Sequence, residues 1–218
     1  MKKIIITIFL VTAVVSGLFC QSGIIRELTG EVEIKRAGSS VFVSASAGDT
    51  VASNTIISTG FRSTAVIAIG SSLITVRPLT RLSLAEIQSV ESTENVNLNL
   101  QAGRVRVDVN PPAGTRTNLT IQSPSSTASV RGTSFDMDND SLSVNEGTVI
   151  LTGTAGPPVM VTGGNSSNST PDGTAADPVV VAELSLAPPS PVGTPSPDVI
   201  SQPSDPAAGD IEIIVRPR

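Results

Sequence analysis

The densest group of candidate metal ligands in the sequence is the run Asp136-Met137-Asp138-Asn139-Asp140-Ser141. Side-chain oxygens at alternate positions of a loop are the ligands that Ca²⁺ takes in EF-hands. That pattern also needs a glycine at the sixth place and a glutamate at the twelfth, where this chain has Ser141 and Gly147. Because Asn and Asp also favour tight turns, we interpret the run as a hairpin turn and expect no metal site.

Catalytic chemistry has little support in the remaining residues. The chain has 218 residues with one Cys and no His, Trp or Tyr, which excludes an imidazole base and a His-ligated metal. Ser and Thr are abundant, but no Gly-x-Ser-x-Gly or Ser-x-x-Lys pattern activates one of them. The acidic residues are scattered, and no feature of the sequence places two of them in one apolar pocket, as glycoside hydrolysis requires. We expect neither enzyme activity nor a cofactor, with a carboxylate-dependent hydrolase as a distant alternative.

Aromatic residues and charge limit the class of ligand. Beyond the amino-terminal segment the only aromatic residues are Phe42, Phe61 and Phe135. Sugar-binding clefts and single-stranded nucleic-acid grooves usually stack their ligand on such rings, so both are disfavoured. Residues 24–155 carry 10 basic and 12 acidic side chains with no basic stripe. Nucleic acid is therefore not an expected partner.

The amino terminus has the pattern of an export signal, which we assign to residues 1–22. Two lysines precede an uncharged apolar run from Ile4 to Phe19. Cleavage after Ser22 would release a soluble product, whereas cleavage before Cys20 would leave a lipidated amino terminus, although Phe19 stands where bacterial lipoproteins normally have Gly or Ala. An uncleaved anchor is the third scheme, because the uncharged stretch is long enough to span a bilayer. All three schemes predict that residues 26 onward lie outside the cytoplasm, in the periplasm, in the cell envelope or outside the cell.

The carboxyl-terminal part has a different composition. Residues 156–218 hold 12 of the 16 prolines and carry 2 basic and 7 acidic side chains. Pro-rich and Gly/Ser-rich segments do not pair in sheets, so we predict a mostly disordered acidic tail from residue 156. Residues 211–215 alternate in polarity, which leaves two interpretations: an unpaired apolar patch, or a terminal strand that adds to a sheet edge of this domain or of a partner.

Residues 24–155 show the alternation of β-strands. Apolar and polar residues alternate in Glu31–Lys35, in Val96–Leu100 and in Arg104–Val109. Turn residues interrupt the strands at short intervals, and no stretch has a helical stripe. A weak repeat places Gly30, Gly103 and Gly147 each before an alternating strand. The sequence therefore predicts an all-β domain of about ten or more short strands, in a solenoid-like or sandwich arrangement.

An ordered series of turn blocks resembles the FecR domain family. The series covers about residues 28–152 and consists of Thr29–Val32, Ala47–Thr50, Ile56–Gly60, Ser63–Val66, Gly70-Ser71, Arg77–Thr80, Leu98–Val105, Val130–Phe135 and Val144–Gly147. Its signature residues are Gly48, Asp49, Thr59, Gly60, Gly103, Arg131, Gly132, Thr133, Phe135, Glu146 and Gly147. We expect them to serve the fold. Because Ile69 stands before Gly70 where the family often has Asp, we expect that turn to be closed differently.

The resemblance implies an all-β extracytoplasmic domain that works by binding and has no known catalysis. In iron-uptake regulators such a domain receives a signal from an outer-membrane receptor and passes it to a sigma factor through a cytoplasmic segment. Only three residues precede the apolar run here, so we do not expect that signalling route. The leading expectation is an exported binding module that docks a protein or cell-envelope component through sheet edges and loops. The alternative is a structural surface or cell-wall-associated protein with the tail as a spacer.

Overall fold

The computed structural model describes residues 22–90 and 92–178, in which nearly all of the regular secondary structure is β-strand. Within these residues the strands make two sheets. Sheet A has the order β17 (Ser166–Asn168), β14 (Ser141–Glu146), β13 (Ser134–Asp138), β10 (Arg104–Val109), β7 (Ser72–Val76), β6 (Thr64–Ile69), β1 (Gly23–Thr29), β4 (Thr50–Val51). Sheet B has the order β16 (Val159–Thr162), β15 (Thr148–Gly153), β12 (Ser126–Val130), β11 (Arg116–Gln122), β9 (Thr93–Ala102), β8 (Arg81–Val90), β5 (Thr55–Thr59), β2 (Val32–Lys35), β3 (Val43–Ser44).

The chain alternates between the two sheets along its length. It places one or two strands in one sheet and then crosses to the other, so both sheets grow together. Neighbouring strands are antiparallel except for β9 and β11, which are parallel. The chain thus winds between two sheets and builds both of them from short strands. The predicted all-β fold is confirmed.

A single aliphatic core lies between the sheets. Alternate residues of most strands point inward, as in β10, where Val105, Val107 and Val109 are buried and Arg106 and Asp108 between them are not. Phe135 is the only aromatic side chain among the buried core residues of the described ranges. The alternation of the sequence therefore corresponds to one buried and one wet face of each sheet.

The glycines of the weak repeat mark crossings between the sheets. Gly103 alone joins β9 to β10 with φ of +93°, and Gly147 alone joins β14 to β15 with φ of +87°. A Cβ atom on Gly103 would overlap Oγ1 of Thr80 and lie 2.7 Å from the Leu79 carbonyl oxygen. These crossings need a left-handed backbone, and the one at Gly103 also has no space for a side chain.

The strands continue past the boundary that the sequence predicts at residue 155. Strands β16 and β17 follow it, and Ser169 forms a bridge with Ala175. Strand β16 has only four residues, three apolar and one polar, between two prolines and two glycines. It therefore shows no alternation that the sequence could reveal. The predicted tail beyond residue 178, its terminal segment 211–215 and Cys20 lie outside the described residues. Within the described ranges no helix is long and apolar enough to cross a membrane.

Candidate docking site

Two loops lie side by side where the chain passes between the sheets. Residues 60–63 join β5 to β6, and residues 77–80 join β7 to β8. The Leu79 amide donates to the Gly60 carbonyl at 3.2 Å, which connects the loops. We call the three outward-facing residues Phe61, Arg62 and Leu79 the loop ridge.

The loop ridge exposes two large apolar side chains on neighbouring loops. Phe61 is 72% exposed and Leu79 is 62% exposed. The Arg62 guanidinium lies 5.5 Å from the centre of the Phe61 ring, within the range of a cation–π contact. The ridge therefore combines an aromatic, an aliphatic and a cationic side chain, and aromatic residues and arginine are enriched at protein interfaces.

The backbone of the ridge is strained. Arg62 and Leu79 both have φ of +55°, which is uncommon for residues other than glycine and costs about 1–3 kcal/mol at each position. Buried hydroxyl groups hold this geometry in place. Thr59 Oγ1 donates to the Arg77 carbonyl at 2.6 Å and accepts the Thr80 amide at 3.0 Å.

Two further hydroxyls complete the support of the ridge. Ser63 Oγ accepts the Glu31 amide at 2.8 Å and donates to the Phe61 carbonyl at 3.1 Å. Thr80 Oγ1 accepts the Arg104 amide at 3.0 Å and lies 3.1 Å from the Arg104 carbonyl, to which it donates. Because Ser63 and Thr80 are fully buried, these bonds are shielded from water and fix the backbone that carries the exposed side chains.

Shallow hollows flank Leu79. One, of about 520 Å³, is lined by Arg77, Pro78, Leu79, Gly103, Arg104 and Asp138. Another, of about 400 Å³, lies on the Thr80 and Arg81 side. Leu79 lines both hollows, so a partner side chain could contact the ridge from either side.

The predicted turn run is part of a charged network on the outer face of sheet A. Asp136 pairs with Arg77 at 3.3 Å and with Arg106 at 3.7 Å, and Asp138 pairs with Arg104 at 2.7 Å. Burial raises the pKa of Asp138, but hydrogen bonds from Arg104, Ser141 and the Asp140 amide outweigh this effect and hold the pKa below its usual value. Asp138 therefore stays ionised near neutral pH and does not suit a general acid.

The family-signature residues fall into three places. Thr59, Gly60 and Gly103 support the loop ridge, while Phe135 lies in the core. Gly132, Thr133 and Gly147 meet at two other crossings between the sheets, where a Cβ on Gly147 would overlap Thr133 Cγ2. This arrangement is consistent with the expectation that these residues serve the fold.

The remaining signature residues lie at the surface. Gly48 and Asp49 form a turn in which the Asp49 carboxylate accepts the Ser46 amide at 2.9 Å. Arg131 and Glu146 are exposed, and neither side chain forms a hydrogen bond within the described part of the chain. The structure does not bring these four residues together into one site.

The loop ridge is not apparent from the sequence, where its only local signal is Pro78, which favours a turn. The turn at Gly70, for which the sequence predicts a closure different from the family pattern, is closed by a residue of sheet B. The Glu94 carboxylate accepts the Ser71 amide at 3.0 Å and the Ser71 hydroxyl at 2.8 Å. No local pattern identifies Glu94 as that partner.

Comparison with known proteins supports the resemblance. The model of the FecR protein family matches residues 55–153, which include the loop ridge, and the predicted relationship to this family is confirmed over that range. No curated protein matches the chain. Among solved structures the chain is similar to two crystal structures, at 1.65 Å and 2.50 Å resolution, of a candidate anti-sigma factor from Parabacteroides distasonis ATCC 8503.

That structural similarity is distant. The TM-score is 0.45 and the sequence identity 15% in both cases, over 59% of this chain. The alignment covers 64% and 63% of the two solved chains, so the chain spans less than two thirds of their length.

Proposed function

We propose that the FecR-like domain is a non-enzymatic binding module that docks a protein or another component of the cell envelope through the loop ridge. The observation that carries this proposal is the pair of exposed apolar residues, Phe61 and Leu79, on a strained and internally bonded backbone. Strained backbone persists where the surrounding structure enforces it, and it is concentrated at functional sites.

The chemistry of the ridge indicates the kind of protein surface that would fit it. Phe61 and Leu79 would fill apolar depressions, and Arg62 would meet a carboxylate at their edge. Because the ridge backbone is fixed by Thr59, Ser63 and Thr80, little conformational entropy is lost on docking. A protein partner with an apolar pocket and an acidic rim is therefore the partner that we favour.

A binding role without catalysis and an extracytoplasmic location are parts of the same proposal. The acidic residues beside the ridge are paired with arginines, and the hydroxyls beneath it bond to backbone groups. The basic and apolar pattern of residues 1–22 supports export, which would place the ridge where envelope proteins can reach it.

The experiment separates binding from folding. We expect Leu79→Gly to leave the free energy of unfolding unchanged or to raise it by up to about 1 kcal/mol, because glycine adopts a positive φ without strain. The same variant, like Phe61→Ala, should reduce at least tenfold the amount of partner recovered by cross-linking in intact envelopes, since it removes a ridge side chain.

Met160→Ala is the matched control for the ridge variants. Met160 is 64% exposed, as much as Leu79, but it lies on β16 at the far edge of sheet B. It should leave partner recovery unchanged. Equal losses from Met160→Ala and Leu79→Gly, or no cross-linked partner for the intact chain, would refute the proposal.

A further inference from the structure

The outer face of sheet B carries a straight row of uncharged polar side chains. Strand pairing places Ser83 beside Asn99, Asn99 beside Gln122, Gln122 beside Thr127, and Thr127 beside Thr152. We call these five residues the polar row. They stand on five adjacent strands about 4.8 Å apart, so the row is about 19 Å long.

The side chains of the polar row have no partners of their own. None of the five forms a side-chain hydrogen bond with any other residue in the described ranges. The neighbouring amides on the same strands differ, because Asn118 Nδ2 donates to Asn95 Oδ1 at 3.0 Å and Asn97 Nδ2 donates to Glu86 Oε2 at 2.8 Å. The donors and acceptors of the polar row are therefore left to solvent or to a ligand.

The sequence around the row departs from ordinary strand composition. Every outward position of β9 from Asn95 to Gln101 is an amide, namely Asn95, Asn97, Asn99 and Gln101. Asn is depleted in strands because it fits a pleated surface poorly. Local rules are broken mainly at functional sites, and the self-bonded pair Asn95–Asn118 accounts for only part of this pattern.

The chemistry of the row selects among ligands. It contains no cation to neutralise phosphates and no apolar group to anchor a hydrophobic partner. Amides and hydroxyls each offer both a donor and an acceptor, and a sugar hydroxyl offers the same combination. A neutral, hydroxyl-rich ligand therefore matches the row along its length.

We propose that the polar row binds a linear, uncharged glycan strand that lies across the strands of sheet B. The row has no aromatic ring on which a sugar could stack. It would therefore hold the glycan by hydrogen bonds alone, unlike the sugar-binding clefts that the low aromatic content of the chain disfavours. Single hydrogen bonds exchanged with water contribute little, so binding requires that several positions be occupied at once. The row is separate from the loop ridge, and either proposal can fail without the other.

The test is co-sedimentation of the full chain with two insoluble, uncharged glycans, cellulose and chitin. We expect the intact chain to sediment with at least one of them. The double variant Asn99→Ala/Gln122→Ala should lower the binding constant about tenfold, because it removes two unpaired amides. Short soluble oligosaccharides should compete poorly.

The double variant Asn95→Ala/Asn118→Ala is the matched control. It removes the same kind of side chain from the same two strands, but these two amides bond to each other, and we expect it to change the binding constant less than about twofold. Thermal unfolding of each variant verifies that it is folded.

Three outcomes would overturn the proposal. The first is that no glycan retains the intact chain. The second is that the control pair weakens binding as much as Asn99→Ala/Gln122→Ala does. The third is that about 0.5 M NaCl abolishes retention, since salt at that level screens ionic contacts and leaves neutral hydrogen bonds in place.

Discussion

The outer faces of the two sheets differ in how their polar side chains are satisfied. On sheet A, strand pairing places Arg104 beside Asp138 and Arg106 beside Asp136, so charge is matched within the face. On sheet B the outward positions that pair β9 with β11, from Asn95 to Asn99 and from Asn118 to Gln122, are uncharged. The five side chains of the polar row have no partner within the described residues. A face whose charges are already paired offers little to a ligand, whereas a face with free donors and acceptors can exchange water for one.

Gly103→Ala is expected to have the largest effect, because it disrupts the connection between the two faces. The new Cβ would overlap Thr80 Oγ1 and would lie 2.6 Å from the Thr80 Cα and 2.7 Å from the Leu79 carbonyl oxygen. We expect a loss of more than about 3 kcal/mol in the free energy of unfolding, measured by urea denaturation.

Gly114→Ala separates steric clash from backbone strain. Gly114 has φ of +89°, and no atom lies within 4 Å of the position that an alanine Cβ would occupy, so this variant should cost only about 1 kcal/mol. If both alanine variants cost the same, close packing at the crossing between β9 and β10 would contribute nothing.

Arg106→Met tests the paired face directly. Arg106 lies 3.4 Å from Asp108 and 3.7 Å from Asp136, and its loss should lower the free energy of unfolding by about 1 kcal/mol, because two carboxylates lose a cation. Arg116 on β11 of sheet B forms no ion pair in the described residues, so Arg116→Met should stay within about 0.5 kcal/mol of the parent. If calorimetry showed similar losses in the free energy of unfolding for the two variants, the faces would not differ in how much charge pairing stabilises them.

Asp138 should make the paired face sensitive to acid. Its pKa is lowered in the folded chain, so its stabilising contribution is complete above the unfolded pKa of about 3.9 and is lost as the pH falls through the lower folded pKa. The difference in free energy of unfolding between the parent and Asp138→Asn should therefore shrink as the pH falls below about 4. Urea denaturation across a pH series measures it. A difference that stays constant down to pH about 2 would contradict this expectation.

Asn99→Ala should have the smallest effect on stability. The Asn99 amide has no partner in the described part of the chain, so we expect its loss to change the free energy of unfolding by less than about 0.5 kcal/mol. Thermal unfolding measures this. A cost above about 1 kcal/mol would mean that the amide stabilises the fold and would remove the distinction between the two faces.

The strands could be predicted from the sequence because their signal is local. Alternation located β2, β9 and β10, and turn glycines located several strand ends. The parallel pairing of β9 with β11 could not be predicted, because nothing within either strand specifies its neighbour. Strand β16 was missed because its four residues, between Pro158 and Gly163, do not alternate in polarity.

The candidate sites were harder to predict, because each depends on contacts between distant residues. The positive φ of Leu79 is stabilised by Thr59, twenty residues earlier in the chain. The closure of the Gly70 turn depends on Glu94, which belongs to the other sheet. In the polar row, Asn99 and Gln122 are neighbours only because of strand pairing. The residue types were visible in the sequence, but their juxtaposition was not.

The alternation of the chain between two growing sheets has a consequence for how the molecule is made. With few exceptions, each strand pairs with strands that precede it closely or follow it closely along the chain. A chain released progressively, amino terminus first, would therefore present each new strand with a partner that is already in place. Such vectorial folding would leave uncovered only the newest edge of each sheet, besides the edges at β3 and β4 where the sheets begin. It would limit the interval in which each new edge can aggregate.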